Sequence, residues 1–228
     1  MDIFIDSADT TEIKKWLDYG VIDGVTTNPS IMLKDGAYDI ESRAREIAVA
    51  VDGRPVSVEV ATNDLTEMVN QARVIAQWSP NIVIKIPIIN ESGEPCLGVI
   101  SQLDKEGIKV NATAMMSFGQ VALAAKAGAT YASIFAGRVA DEGGDVTRLI
   151  GMAADWLESW DYETKIIVGS IRGVIDIQDA ACAGAHIVTI QPQFLSKMVD
   201  HKYTRETVRG FIIDAKKALA VREKKSGS

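Results

Sequence analysis

Short apolar runs dense in Val and Ile recur along the whole chain, and nearly every one is followed by a stretch with apolar residues at helical spacing. The runs fall at residues 3–6, 24–28, 56–60, 82–87, 109–114, 131–136, 165–170 and 187–191. Few alternate strictly between apolar and polar positions, which is how strands buried on both faces read. The helical stretches fall at 10–17, 40–50, 65–77, 98–106, 119–127, 146–160, 175–183 and 192–199. Eight such pairs in a chain of 228 residues predict an α/β fold, a closed parallel (β/α)8 TIM barrel. A doubly wound open sheet would want a Gly-rich first turn, and here that turn is Asp6-Ser7-Ala8-Asp9.

One helix is left over at the C-terminal end. Over 206–219, Val208, Phe211, Ile212, Ala215 and Leu219 form one apolar stripe. It either closes the barrel or packs on a neighbouring subunit. No linker, charge block or low-complexity segment divides the chain, so one domain is expected over 1–221. The polar tail, 222–228, is expected to fray and is excluded from the fold.

Hydrophobic residues make up 47% and charged residues 24%, the balance of an ordinary soluble globular chain. The formal net charge of −7 argues against nucleic acid as a partner, because a phosphate backbone needs a basic face. It leaves room for a small anionic substrate, which needs only a local pair of arginines. Cys96 and Cys182 lack paired spacing, and His186 and His201 do not cluster with carboxylates as metal ligands. The expectation is a reducing, cytoplasmic setting and chemistry without a metal or other cofactor. The first residues carry no basic and apolar signal, and no run nears the roughly 20 apolar residues of a membrane span.

Barrel enzymes keep their chemistry at the C-terminal ends of the strands. The polar residues late in apolar runs are few: Asp6, Thr27, Asn28, Glu59, Lys85, Asn111, Thr113, Ser133, Ser170 and Arg172. Lys109 and Lys165 open their runs and belong to the opposite rim. Lys85, within Ile82-Val83-Ile84-Lys85-Ile86-Pro87, is the sharpest candidate. Desolvation in such a setting favours a neutral amine, which attacks a ketone to form an imine. The plain alternative is a lysine whose tip reaches the barrel mouth or pairs with Glu59. Asp6 and Glu59 are the available proton carriers; Asp6 is as well placed to cap the following helix. Arg138 and Arg172, with Ser170, can cradle a phosphate, or else pair with Asp141, Glu142 or Asp145.

Together these residues resemble the transaldolase family, in its compact transaldolase and fructose-6-phosphate aldolase branch. The stretch Asp23-Gly24-Val25-Thr26-Thr27-Asn28-Pro29-Ser30 is similar to the family's second-strand signature, and Lys85-Ile86-Pro87 to its Schiff-base strand. Phe4-Ile5-Asp6, Ser57-Val58-Glu59, Asn111-Ala112-Thr113, the 124–129 stretch, Gly137-Arg138 and Ser170-Ile171-Arg172 follow in order. The resemblance implies an imine on Lys85, with Asp6 as acid/base at the hydroxyl whose deprotonation breaks the bond. It implies that Glu59 and Thr113 position a proton-moving water, and that Asn28, Asn111 and Ser133 hold a dihydroxyacetone fragment. Arg138, Ser170 and Arg172 are implied as the binders of the terminal phosphate. The C-terminal helix resembles one that packs between subunits, which implies a homo-oligomer such as a pentamer or decamer.

Aldolase members of the branch carry Gln at position 59, lack the Asn at 111 and place Tyr at 135. Glu59, Asn111 and Phe135 all follow the transaldolase pattern instead. Departures lie in the longer 88–96 loop, in Met115-Met116, in Ile134 and in the segment after Arg138. They bear on the sugar rather than the chemistry, so a sulfonated fructose donor stays open. The expected activity is transfer of a dihydroxyacetone unit between ketose and aldose phosphates, in carbohydrate metabolism of the pentose phosphate type. The rivals are a fructose-6-phosphate aldolase and a non-catalytic barrel that binds sugar phosphates.

Overall fold

The computed structural model describes residues 1–226. Its strands are β1 (Asp2–Asp6), β2 (Gly24–Thr26), β3 (Val56–Glu59), β4 (Ile82–Pro87), β5 (Val110–Met115), β6 (Tyr131–Phe135), β7 (Lys165–Gly169) and β8 (Ile187–Ile190). All pair in parallel and in chain order, and β8 closes on β1 through Ile3↔Val188 and Phe4↔Thr189. The barrel is therefore a TIM barrel, as the repeated pairs predict. Its strands are buried at most positions because helices cover the outside and side chains fill the inside. Toward its N-terminal end, Phe4, Ile167 and Ile187 cluster, with the Tyr131 ring edge-on to Phe4.

The outer layer comprises α1 (Thr10–Asp18), α2 (Pro29–Lys34), α3 (Ile40–Ala50), α4 (Leu65–Ala76), α5 (Leu97–Lys105), α6 (Phe118–Lys126), α7 (Ala136–Asp141), α8 (Val146–Ser159) and α9 (Val174–Cys182). Most begin on a side-chain cap: Asp9, Asn28, Asp39, Asp64, Ser117 and Asp145 each accept a bond from a first-turn amide. Two helices, α2 and α7, stand where the pattern suggests only strand ends and loop. Each has six residues, too few for an apolar period to show. The second strand accordingly stops at Thr26, and Asn28-Pro29 opens α2 as cap and first residue.

β5 is irregular. Its register against β6 shifts between Ala112 and Met115, and Ala114 has a φ of 59°. A bulge of this kind re-aims neighbouring side chains, and it lies next to Thr113.

The barrel forms the first compact unit, Met1–Pro192. The second unit, from Gln193, carries most of α10 (Pro192–Val199) and all of α11 (Lys202–Ser226). α11 runs past both ends of the apolar stripe read at 206–219, and it includes part of the polar tail. The rest of the tail, 227–228, lies outside the described residues. Among the described residues no helix is long and apolar enough to cross a membrane.

Candidate active site at the C-terminal rim of the barrel

Lys85 is the fourth residue of β4 and only 5% exposed. Its Nζ donates to the Thr27 carbonyl at 2.9 Å and stands 3.2 Å from Glu59 Oε2. The lysine is thus buried, as its β-branched run implies, and it pairs with Glu59, its register partner on β3. Thr27 is itself fixed, since its hydroxyl and its amide both donate to the Ser57 carbonyl.

Asp6 ends β1 and does not cap α1; Asp9 does. Its carboxylate accepts from Thr26 Oγ1 at 2.7 Å, and Thr26 in turn shares a short hydroxyl contact with Thr189 on β8. Burial pushes the Asp6 carboxyl above its ordinary range and Asp35 adds to the rise, while Thr26, Lys85 and Lys34 oppose it.

Asn111 lies deeper than its run implies, second in β5 and fully buried. Its Oδ1 accepts from Ser133 Oγ at 2.7 Å, and its Nδ2 donates to Ser57 Oγ at 3.1 Å. Register carries Glu59, Lys85 and Asn111 side by side across β3, β4 and β5. Thr113 pairs with Pro87, and its buried hydroxyl has no hydrogen-bond partner among the described residues. Asn28 is partly committed, because its Oδ1 caps α2 through Ile31 N, leaving its amide nitrogen as a donor.

A second group forms on β6 and β7. Phe135 closes β6 opposite Gly169. Arg138 stands exposed on α7, not in a loop, and has no ion-pair partner among the described residues. Arg172 does pair with Asp141, Nη2 to Oδ2 at 2.7 Å, on the exposed rim. Ser170 is held at a φ of 60°, and its carbonyl accepts from Gly137 N at 3.1 Å. A Cβ on Gly137 would stand 2.6 Å from Arg172 Nε and 2.8 Å from Ser170 Oγ. Ser170, Arg172 and the start of α7 therefore meet across a glycine surface.

Position along the strands missed Ser57, Thr26 and Thr189. Each is a small hydroxyl inside a β-branched run, and nothing local marks it. The long 88–96 loop is a small hairpin with an Ile89↔Pro95 bridge, built around the buried Asn90. Asn90 Oδ1 accepts from Ser92 N and Glu94 N, and its Nδ2 donates to Asn63 O beyond β3. Among the described residues no three His, Cys, Asp or Glu side chains gather as metal ligands.

Fold and site define a class: a (β/α)8 barrel with a buried, carboxylate-paired amine at its C-terminal rim. The sequence model of the family described as transaldolase/fructose-6-phosphate aldolase matches residues 3–227. A relative from Streptococcus agalactiae named probable transaldolase is 41% identical over 214 residues, 94% of this chain and 97% of the relative. Another from Listeria monocytogenes, named probable transaldolase 2, is 42% identical over 94% of this chain and 95% of its own length. The chain belongs to the transaldolase/fructose-6-phosphate aldolase family, as an enzyme of the transaldolase class. Among solved structures, a thiamine phosphate pyrophosphorylase from Pyrococcus furiosus superposes with a TM-score of 0.57 at 10% identity, covering 83% of this chain and 85% of that one. A mandelate oxidase variant gives 0.57 at 12% identity, covering 84% and 65%. At such identities the likeness is one of fold alone.

Proposed function

We propose that this enzyme moves a dihydroxyacetone unit from a ketose phosphate of the fructose 6-phosphate type to an aldose phosphate, through an imine on Lys85. The observation that carries the reading is the lysine's setting, a buried amine with Glu59 Oε2 at 3.2 Å and Thr27 O at 2.9 Å. Glu59 takes a proton from the ammonium, and the freed lone pair adds to the ketose carbonyl carbon, C2. The carbinolamine then loses water. Glu59 and the unpartnered Thr113 hydroxyl hold a water that moves the protons of that step.

Asp6 next takes the proton of the C4 hydroxyl. The C3–C4 bond breaks, its electron pair flows into the imine to give an enamine, and the first aldehyde departs. The acceptor aldehyde adds to the enamine carbon, its oxygen takes the proton back from Asp6, and hydrolysis frees Lys85. A carboxyl whose proton affinity is raised by burial suits this give and take. Asn28, Asn111 and Ser133 hold the retained hydroxyls. Arg138, Ser170 and Arg172 bind the terminal phosphate, for which Arg172 must exchange Asp141 for the stronger anion. An exposed pair of this kind is worth only about 0–1 kcal/mol, so the exchange is cheap. Sugar exchange of the pentose phosphate type, a cytoplasmic setting and a homo-oligomer formed through α11 belong to the same reading.

Incubation with fructose 6-phosphate followed by borohydride tests it. Reduction should add the mass of the bound sugar at Lys85 and nowhere else. Labelling that persists undiminished in Lys85→Ala would refute the assignment.

A further inference from the structure

We infer that Asp35 is a positioning residue for Asp6: its carboxylate clamps the turn that leaves β1 and so fixes where the acid/base group stands. This rests on the role proposed above for Asp6.

Asp35 directly follows α2, 29 residues along the chain from Asp6. One of its oxygens, Oδ2, accepts from Ser7 Oγ at 3.1 Å and from Ala8 N at 2.9 Å. Ser7 Oγ in turn accepts from Asp9 N at 3.0 Å, and Asp9 caps α1. From the other side Arg43 of α3 donates to the Ala8 carbonyl. The three residues after Asp6 are therefore tied to α1, α2 and α3 together, and Ala8 is fully buried among them.

The helix itself does not call for this carboxylate. A negative charge at a helix C-terminus opposes the helix dipole, where a lysine or a neutral residue would serve better. The backbone amide of Asp35 already completes α2 by donating to Ile31 O and Leu33 O. What the carboxylate satisfies is the turn beyond Asp6.

Its charge has a second effect. The groups that face Asp6 are Thr26 from β2 with Thr189 of β8 behind it, Lys85 from β4, Lys34 at the end of α2 and Asp35 just after it. Of these only Asp35 is negative, and it adds to the rise that burial imposes on the Asp6 carboxyl. Clamp and charge can be separated, because Asp35→Asn keeps an acceptor oxygen in place and removes the charge, whereas Asp35→Ala removes both.

The experiment is the pH dependence of kcat and of kcat/KM, with fructose 6-phosphate as donor and erythrose 4-phosphate as acceptor. Asp35→Asn should keep kcat within about threefold, and its acidic limb should move to lower pH, since the proton leaves Asp6 more readily. Asp35→Ala should lose about tenfold or more in kcat with donor KM changed by less than about threefold, because misplacement of a reacting group falls on the chemical step. A wild-type kcat in folded Asp35→Ala overturns the inference, and so does an acidic limb in Asp35→Asn that stays where it was. If the alanine variant does not fold, Ser7→Ala, which removes one of the two donors to the Asp35 carboxylate, decides the clamp: kcat should fall there, and a wild-type kcat overturns the inference. Borohydride trapping on the same preparations separates the two readings. With Lys85 labelled normally and kcat lost in Asp6→Asn, a failure concerns Asp35 only. A wild-type kcat in Asp6→Asn removes the role of Asp6, and an unmodified enzyme that never traps the ketose removes the imine itself.

Discussion

At the scale of single residues, the proposed transfer competes with simple cleavage, and Phe135 is where the two readings part. In the proposed mechanism, once the first aldehyde leaves, the enamine on Lys85 either meets an acceptor or gains a proton and releases free dihydroxyacetone. Phe135, at the end of β6, carries no proton to give. Release with donor alone should therefore be slow. An aldose phosphate should speed donor consumption by at least an order of magnitude, roughly 1.4 kcal/mol of barrier. Phe135→Tyr should raise donor-only cleavage relative to transfer. The measurement is dihydroxyacetone appearance against acceptor concentration, and fast release from the unmodified enzyme without acceptor would replace transfer by an aldolase. Lys85 and Glu59 were legible because charged groups inside β-branched runs stand out. The Thr26–Thr189 contact that braces Asp6 was not, because its partners lie 163 positions apart and Thr189 reads as ordinary strand.

At the scale of elements, the rim depends on how closely short segments approach. α7 begins at Ala136, and its second residue is a glycine because Ser170 and the Arg172 side chain occupy the space of a Cβ. Gly137→Ala should push Ser170 and Arg172 outward. Donor KM should then rise by roughly tenfold or more, the scale of one charge-assisted bond of about 1.5–3 kcal/mol, while an unphosphorylated ketose is little affected. Equal losses with both donors would place the anion site elsewhere. Away from the site, Arg73 on α4 grips Glu106, which follows α5, at 2.9 and 2.6 Å. That contact holds the Glu106 carboxyl down from its ordinary 4.5 to about 2. A depressed carboxylate contributes stability that is fully present above its unfolded value and fades as pH falls through the folded one. Arg73→Ala should accordingly lower the melting temperature at pH 7, and the gap from wild type should close between about pH 4.5 and 2. A gap that persists at pH 2 would mean the arginine acts through packing instead. Neither contact showed in the sequence, where α7 left no period and Arg73 and Glu106 sit 33 residues apart.

At the scale of the whole molecule, barrel closure turns a scattered list into a site. Asp6 on β1 and Lys85 on β4 belong to distant segments, yet β8 closing on β1 and Glu59 on β3 bring both to one rim. The repeat of Val- and Ile-rich runs was enough to foresee that closure. α11 is a different case, because its stripe was legible while its surroundings were not. Val208, Phe211, Ile212 and Leu219 are all exposed, Phe211 at 69%. A contiguous apolar stripe left in water marks an association surface, and each large side chain gains about 1.5–3 kcal/mol when fully buried. A long helix also owes most of its stability to packing of such a face. We therefore expect the full chain to be an oligomer and a chain ending at His201, before α11, to fall to a smaller species by light scattering. The shortened protein should keep its barrel, which is compact through Pro192 on its own contacts. Replacing Phe211 and Ile212 together by serine should reproduce the loss of mass with α11 still attached. A full-length chain that is monomeric at micromolar concentration would leave the stripe without this role.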